Sequence, residues 1–220
     1  MNSRETILAR VRRARTSSDA VIATRLREHP RGPLPNMSED LLTRFRERAA
    51  RLASDVQGPL SAEQVPTAVA NYLRERSLPV RAVRWPSIGS FEWGTVGMSV
   101  EARAARADDM VGITGAFCAI AETGTLMLLS GADTPAATSL LPETHVALVP
   151  ISRIVARMED GWDLLRMEHG LPPRAVNFVS GPSRTADIEQ TVTLGAHGPY
   201  RVCIVLVADA VTGIARPVVG

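Results

Sequence analysis

The spacing of apolar positions changes along this chain, and the changes mark out its elements. From Ser38 onward, Leu41, Leu42, Phe45, Ala49, Leu52 and Val56 recur at helical spacing. Glu39 and Asp40 fall in the first turn, and Gly58-Pro59 closes the run. Ser61-Ala62-Glu63-Gln64 has the form of a capping box, with Val65, Val69, Tyr72 and Leu73 as the inward face of a second helix. Then short apolar runs take over. Residues 79–85, 110–113, 116–121, 126–129, 145–149, 175–179 and 200–207 each have the length and composition of a strand. A further helix, opened by Ser152, has Ile154, Val155, Met158, Trp162 and Leu165 on its inner face and ends at Gly170 and Pro172. Residues 85–97 are rich in Trp, Gly and Ser and read as a long loop of the kind that lines sites. Alternation of helix and strand from residue 61 predicts an α/β three-layer sandwich with a mostly parallel sheet. The runs 116–121 and 126–129 are close enough to form an antiparallel hairpin, which would make that sheet mixed.

With 220 residues, 45% of them hydrophobic, and a mean hydropathy of +0.03, the chain is expected to be soluble and globular with one sizeable core. The expected division is a helical arm and linker over 1–59, including the proline-rich stretch 30–35, and an α/β domain over 60–220. Eight arginines in residues 1–31 face only Glu5, Asp19 and Glu28, which suits a partner-binding or solvated arm. The whole chain carries only +2, too little for a strong nucleic-acid field. No apolar run approaches the ~20 residues of a membrane span, and no secretory core opens the chain, so a cytoplasmic location is expected.

All 25 basic residues are arginine. Without lysine, Schiff-base chemistry, a P-loop and a Ser-Lys dyad are excluded. No GxGxxG or GxSxG is present either. Cys118 and Cys203 sit in apolar runs with no CxxC, so this chain is not expected to bind an iron–sulfur cluster. His29, His145, His169 and His197 are scattered, and no metal is expected. His145 opens a strand and reads as structural.

Three polar knots interrupt the apolar runs. In the first, Glu122-Thr123-Gly124-Thr125 separates the two arms of the hairpin. It is either a solvated turn or a functional carboxylate flanked by hydroxyls. The second is Ser180-Gly181-Pro182-Ser183-Arg184-Thr185-Ala186-Asp187-Ile188-Glu189. Read as strand, tight turn and helix from Ser183, it would set a helix N-terminus, hydroxyls and an arginine fork at the carboxyl end of a strand, suited to phosphate or carboxylate. The alternative is a plain N-cap with Arg184 paired to Glu189. In the anion-site reading, Asp187 lies one turn in and would touch ligand or orient Arg184 instead. In the third, Gly195-Ala196-His197-Gly198-Pro199, a histidine lies in a glycine-flanked turn, as a proton carrier or as a turn residue bonded to backbone.

These three knots, in this order, resemble the LUD domain, and the chain is similar to the lactate utilization protein C family. The resemblance covers residues 60–208. It implies a fold like those of glucosamine-6-phosphate deaminase, ribose-5-phosphate isomerase and the CoA transferases. It also implies a part in oxidising L-lactate to pyruvate beside sister proteins that carry the iron–sulfur clusters. In that setting Glu122 and His197 are the candidate proton carriers. Thr123, Gly124, Thr125, Gly181, Ser183, Arg184, Thr185, Asp187 and Gly198 are the candidate ligand-binding residues for a small anionic metabolite. Two other readings stay open: a non-catalytic assembly or regulatory module, and an acyl- or CoA-transfer enzyme with Glu122 as nucleophile.

Overall fold

A computed structural model of the protein describes residues 3–14, 32–34, 36–37, 40–89, 91–185 and 193–208. The chain groups into two units, Met1–Asn36 and Met37–Gly220. The first holds helix α1 (Ser3–Ala14), on which Ile7, Leu8 and Val11 are exposed.

The larger unit opens with helix α2 (Leu41–Arg51). Its N-cap is Asp40, which accepts hydrogen bonds from the Thr43 hydroxyl and from the backbone N–H groups of Leu42 and Thr43. Ser38, the expected cap, lies outside the described residues. The helix also stops earlier than its apolar spacing predicts. Ala53 takes a left-handed φ of 64°, and strand β1 (Asp55–Leu60) follows. Val56 and Gly58-Pro59 therefore belong to a strand, because parallel pairing with strand β12 (Arg201–Val207) supplies the backbone bonds that a longer helix would have made.

Helix α3 (Val65–Glu75) forms as expected, with Val65, Val69, Tyr72 and Leu73 buried. The predicted capping box forms just ahead of it, at the 3-10 turn Ala62–Gln64. Gln64 accepts from the Ser61 N–H at 2.9 Å, while the Ser61 hydroxyl donates to Glu63. Strands β2 (Arg81–Arg84), β4 (Val111–Gly115) and β7 (Thr144–Pro150) fall on predicted runs. Strand β3 (Ser99–Ala102) has no such run, since only Val100 is even half-buried there.

The central sheet has six strands in the order β1-β12-β7-β4-β2-β3, all parallel. The predicted hairpin, β5 (Cys118–Ile120) with β6 (Thr125–Leu129), is antiparallel and belongs to a second sheet in the order β8-β5-β6-β9. There β8 is Ile154–Val155 and β9 is Val176–Val179. The second sheet alternates strictly. Ala119, Leu126 and Leu128 face the main core, whereas Cys118, Met127 and Leu129 pack with Phe117 and Leu165 of helix α5 (Met158–His169).

Helix α5 starts later than expected. Ile154 and Val155 pair with Ala119 and Ile120 as strand, and Asp160 accepts from the Arg157 N–H at 2.9 Å to open the helix. Gly170 ends it, as expected. A short helix α4 (Ala137–Leu140) leads toward β7. Among the described residues no helix is long and apolar enough to cross a membrane.

One arginine ties the two sheets together where the chain leaves β7. Arg153 donates from Nε to the Phe117 carbonyl at 2.8 Å and from both terminal nitrogens to Glu168 at 2.6 and 3.0 Å. Its guanidinium also lies 4.8 Å from the centre of the Phe117 ring. Arg153→Ala strands the Glu168 carboxylate and the carbonyl, and should cost about 2–3 kcal/mol in urea denaturation. Arg153→Lys should recover only a minor part, because an ammonium cannot span three fixed acceptors.

Candidate functional site

The three knots are far apart in sequence and adjoin in space. Thr123 Oγ1 donates to Thr125 Oγ1 at 2.8 Å, and Thr125 Oγ1 lies 2.8 Å from Ser180 Oγ. Thr125 accepts from Thr123, and either of Thr125 and Ser180 can donate to the other, so the row leaves a hydroxyl proton to spare. This row of hydroxyls joins the first knot to the second. The second joins the third through backbone: the Ser183 N–H donates to the Pro199 carbonyl, and the Gly195 N–H donates to the Ser183 carbonyl, both at 2.9 Å. Gly198 packs so closely that a Cβ there would sit 3.1 Å from Ser183 Cβ.

Those backbone bonds also remove the predicted helix N-terminus. Arg184–Thr185 is a strand, β10, paired antiparallel with β11 (Thr193–Leu194). Ser183 is held extended by its bonds to Pro199 and Gly195, so it caps nothing. The free helical N–H groups foreseen for an anion do not arise at this turn. Asp187 lies outside the described residues.

The gathering place differs from the expected carboxyl rim. The third knot runs directly into the amino end of β12, and the second is bonded to it. The first two knots both press against the last turn of α2, which leads through Ser54 into the amino end of β1. All three therefore meet at the amino edge of the parallel sheet. The turn of the β5–β6 hairpin is pinned there from below: the Ala121 and Glu122 N–H groups donate to the Val155 and Ala156 carbonyls at 2.8 and 2.9 Å.

Helix α2 forms the back of this cluster, a role that its own sequence does not advertise. Gly124 and Gly181 have φ of +72° and +82°. A Cβ on Gly124 would lie 2.5 Å from the Arg48 carbonyl carbon, and one on Gly181 would lie 3.1 Å from the Leu52 carbonyl carbon and closer still to its oxygen. The two glycines thus make room for a helix. Arg184 donates to the same Leu52 carbonyl at 3.2 Å. Its side chain is exposed, with guanidinium donors left over. Glu122 is half-buried and His197 exposed, and neither side chain bonds to another described residue. The cluster offers a carboxylate, an imidazole, several hydroxyls and an arginine along one edge of the sheet.

Both thiols and the His145 imidazole are sequestered. Cys118 and Cys203 are fully buried in different sheets, and burial pushes both thiols up, Cys118 to about 12. His145 is fully buried on β7, where Nε2 lies 2.7 Å from the Thr114 hydroxyl and Nδ1 makes no hydrogen bond. Burial pushes its pKa down to about 4, so it is a neutral core residue, as its sequence position suggested.

A parallel six-stranded sheet, helices on both of its sides and three polar loops at one edge define an α/β protein with a loop-built site. The chain belongs to the LUD domain family, whose model matches residues 80–207 and spans all three knots. Within that family it is similar to lactate utilization protein C of Bacillus subtilis, 39% identical over 129 residues, 57% of this chain and 54% of the relative. It is also similar to lactate utilization protein C of Halalkalibacterium halodurans, 32% identical over 190 residues, 78% of this chain and 81% of the relative. The match to the Bacillus subtilis protein thus spans about half of that relative's length. Among solved structures, a DUF162 family protein from Deinococcus radiodurans is 28% identical with a TM-score of 0.59, covering 79% of this chain and 99% of that one.

Proposed function

We propose that this chain is a subunit of a bacterial L-lactate utilization system and binds a small anionic metabolite at the amino edge of its sheet. The observation that carries the reading is the bonded junction of the three knots, Thr125 to Ser180 and Ser183 to Pro199, in a chain whose relatives bear the lactate utilization name. In this reading Arg184, Ser183 and Thr185 hold the carboxylate, with Thr123 and the Ser180 hydroxyl beside them. Oxidation of lactate to pyruvate releases two electrons and two protons. The hydroxyl proton needs a base, for which Glu122 and His197 are the candidates. In this reading the electrons pass to iron–sulfur sister proteins, and Cys118 and Cys203, buried in separate sheets, take no part.

The test is growth on L-lactate of a deletion strain carrying Glu122→Gln, Arg184→Ala or His197→Gln, with each variant's folded fraction checked by its urea midpoint. Arg184→Ala and Glu122→Gln are expected to grow at least tenfold more slowly on lactate and normally on glucose. Full complementation by both, at normal abundance, would mean that the knots serve the fold alone. Lactate oxidation by the purified chain with an artificial acceptor, in the absence of any partner, would overturn the subunit reading.

A further inference from the structure

Helix α1 buries almost nothing. From Ser3 to Arg13 every residue is exposed except Ala9, which is half-buried. Its 12 residues are at the short end of what holds as a helix in water, where most helical stability comes from packing an apolar face. Such a face is present and uncovered. Ile7, Leu8 and Val11 are 61%, 40% and 61% exposed. With 3.6 residues per turn, the three side chains fall within about 100° of the helix circumference.

The charges around this stripe define what complements it. Arg10 and Arg12 border it, one on each side, roughly 60° from Ile7 and 40° from Leu8 around the helix. Among the described residues, Arg10, Arg12 and Arg13 have no ion-pair partner. The helix holds four arginines against Glu5 alone, a net charge of +3. Its complement is an apolar channel with carboxylates along both walls. An anionic lipid surface matches the charge but not the shape. Helices that lie in a membrane interface present a broad apolar face carrying Trp, Phe or Leu, whereas this one has three aliphatic side chains and no aromatic. A protein groove closes on a narrow stripe from both sides, reading anchors three and four residues apart.

We propose that α1 docks into an acidic-walled apolar groove on a partner protein, with Ile7, Leu8 and Val11 as the anchors and Arg10 and Arg12 paired to carboxylates on the two walls. The inference rests on the subunit reading, which supplies the partner: an iron–sulfur sister protein of the same lactate system. In the complex the helix gains the packing that it lacks in the free chain.

Sedimentation velocity of the full chain mixed with its purified sister proteins tests it, with hydrogen–deuterium exchange read over residues 3–14. Exchange there is expected to be fast in the free chain and slow in the complex. Val11→Ser, and Arg10→Glu combined with Arg12→Glu, should each raise the Kd about tenfold or more. Both change exposed side chains, so the urea midpoint of the chain should stay as it is. Ile7→Leu, which keeps an anchor, should bind as the wild type does. Added salt should weaken the wild-type complex. A complex that forms equally well with all these variants overturns the inference and leaves the subunit reading standing. No complex with the wild-type chain overturns both. Residues 3–14 protected as strongly in the free chain as in the complex would mean that the stripe needs no partner, and would also overturn it. So would slowing by phosphatidylglycerol vesicles and not by the sister proteins, which would make α1 a membrane-surface helix.

Discussion

Gly124→Ala is expected to cost about 3 kcal/mol of folding stability, and Gly181→Ala about the same. Two effects add at each position. A left-handed φ costs an L-residue roughly 1–2 kcal/mol, and a methyl driven into packed backbone costs roughly 1–3 kcal/mol more. For Gly124 the obstacle is the last turn of α2, with the Arg48 carbonyl carbon 2.5 Å and Arg48 Cβ 2.8 Å from the new atom. For Gly181 it is the Leu52 carbonyl group at the end of the same helix. Because both methyls push on one helix end, a helix displaced by the first makes room for the second. The double variant should therefore cost less than the sum of the two. Urea denaturation of the two single variants and the double measures this directly. If these glycines served only to admit a ligand, stability would hold while binding failed.

Acid is expected to destabilise the protein well before its carboxylates protonate, through His145. In the unfolded chain this imidazole has a pKa near 6.5, whereas burial lowers it to about 4 in the fold. Between those values the unfolded state binds more protons than the native one, so stability falls as pH falls. The loss amounts to about 2 kcal/mol by pH 5 and approaches 3 kcal/mol at pH 4. The contribution is fully present above pH 6.5. His145→Leu paired with Thr114→Val removes the titrating group and the hydroxyl bonded to it. The urea midpoint of that double variant should be nearly flat between pH 7 and pH 5, while the wild type declines. A wild-type midpoint that did not move over this range would mean that His145 takes up a proton in the fold.

The parts of the fold that were legible in the sequence are those where one local pattern has one outcome. Strands β7 and β12 are dense runs of branched apolar residues and are buried on both faces. The β5–β6 hairpin follows from two apolar runs around a glycine turn. Where a pattern has two outcomes, distant partners decided. Val56 fits a helix as well as a strand, and parallel pairing of β1 with β12 settled the matter. Ile154 and Val155 fit the inner face of α5, but β5 recruited them. Ser183 reads as a cap until the bonds to Pro199 and Gly195 draw it into extended chain.

The candidate site divides in the same way. Which stretches form the three polar knots could be read from glycine, hydroxyl and charge coinciding within a few residues. Where they meet could not, because that depends on β5 and β8 forming a separate sheet, with the hairpin turn against the last turn of α2. Nor could the part played by residues 48–52 of α2 be read from their own side chains. The only local signal is indirect: Gly124 and Gly181 have left-handed φ, and the atoms that fill the space beside them are backbone.

We propose that one small anion engages the three separated loops at once. Hydrogen–deuterium exchange of the purified chain, with and without saturating L-lactate or pyruvate, tests it most directly. Slower exchange is expected together in residues 122–125, 183–185 and 195–198, and is lost in Arg184→Ala. Slowing confined to one of these loops, or found only at the carboxyl edge of the sheet, would contradict it.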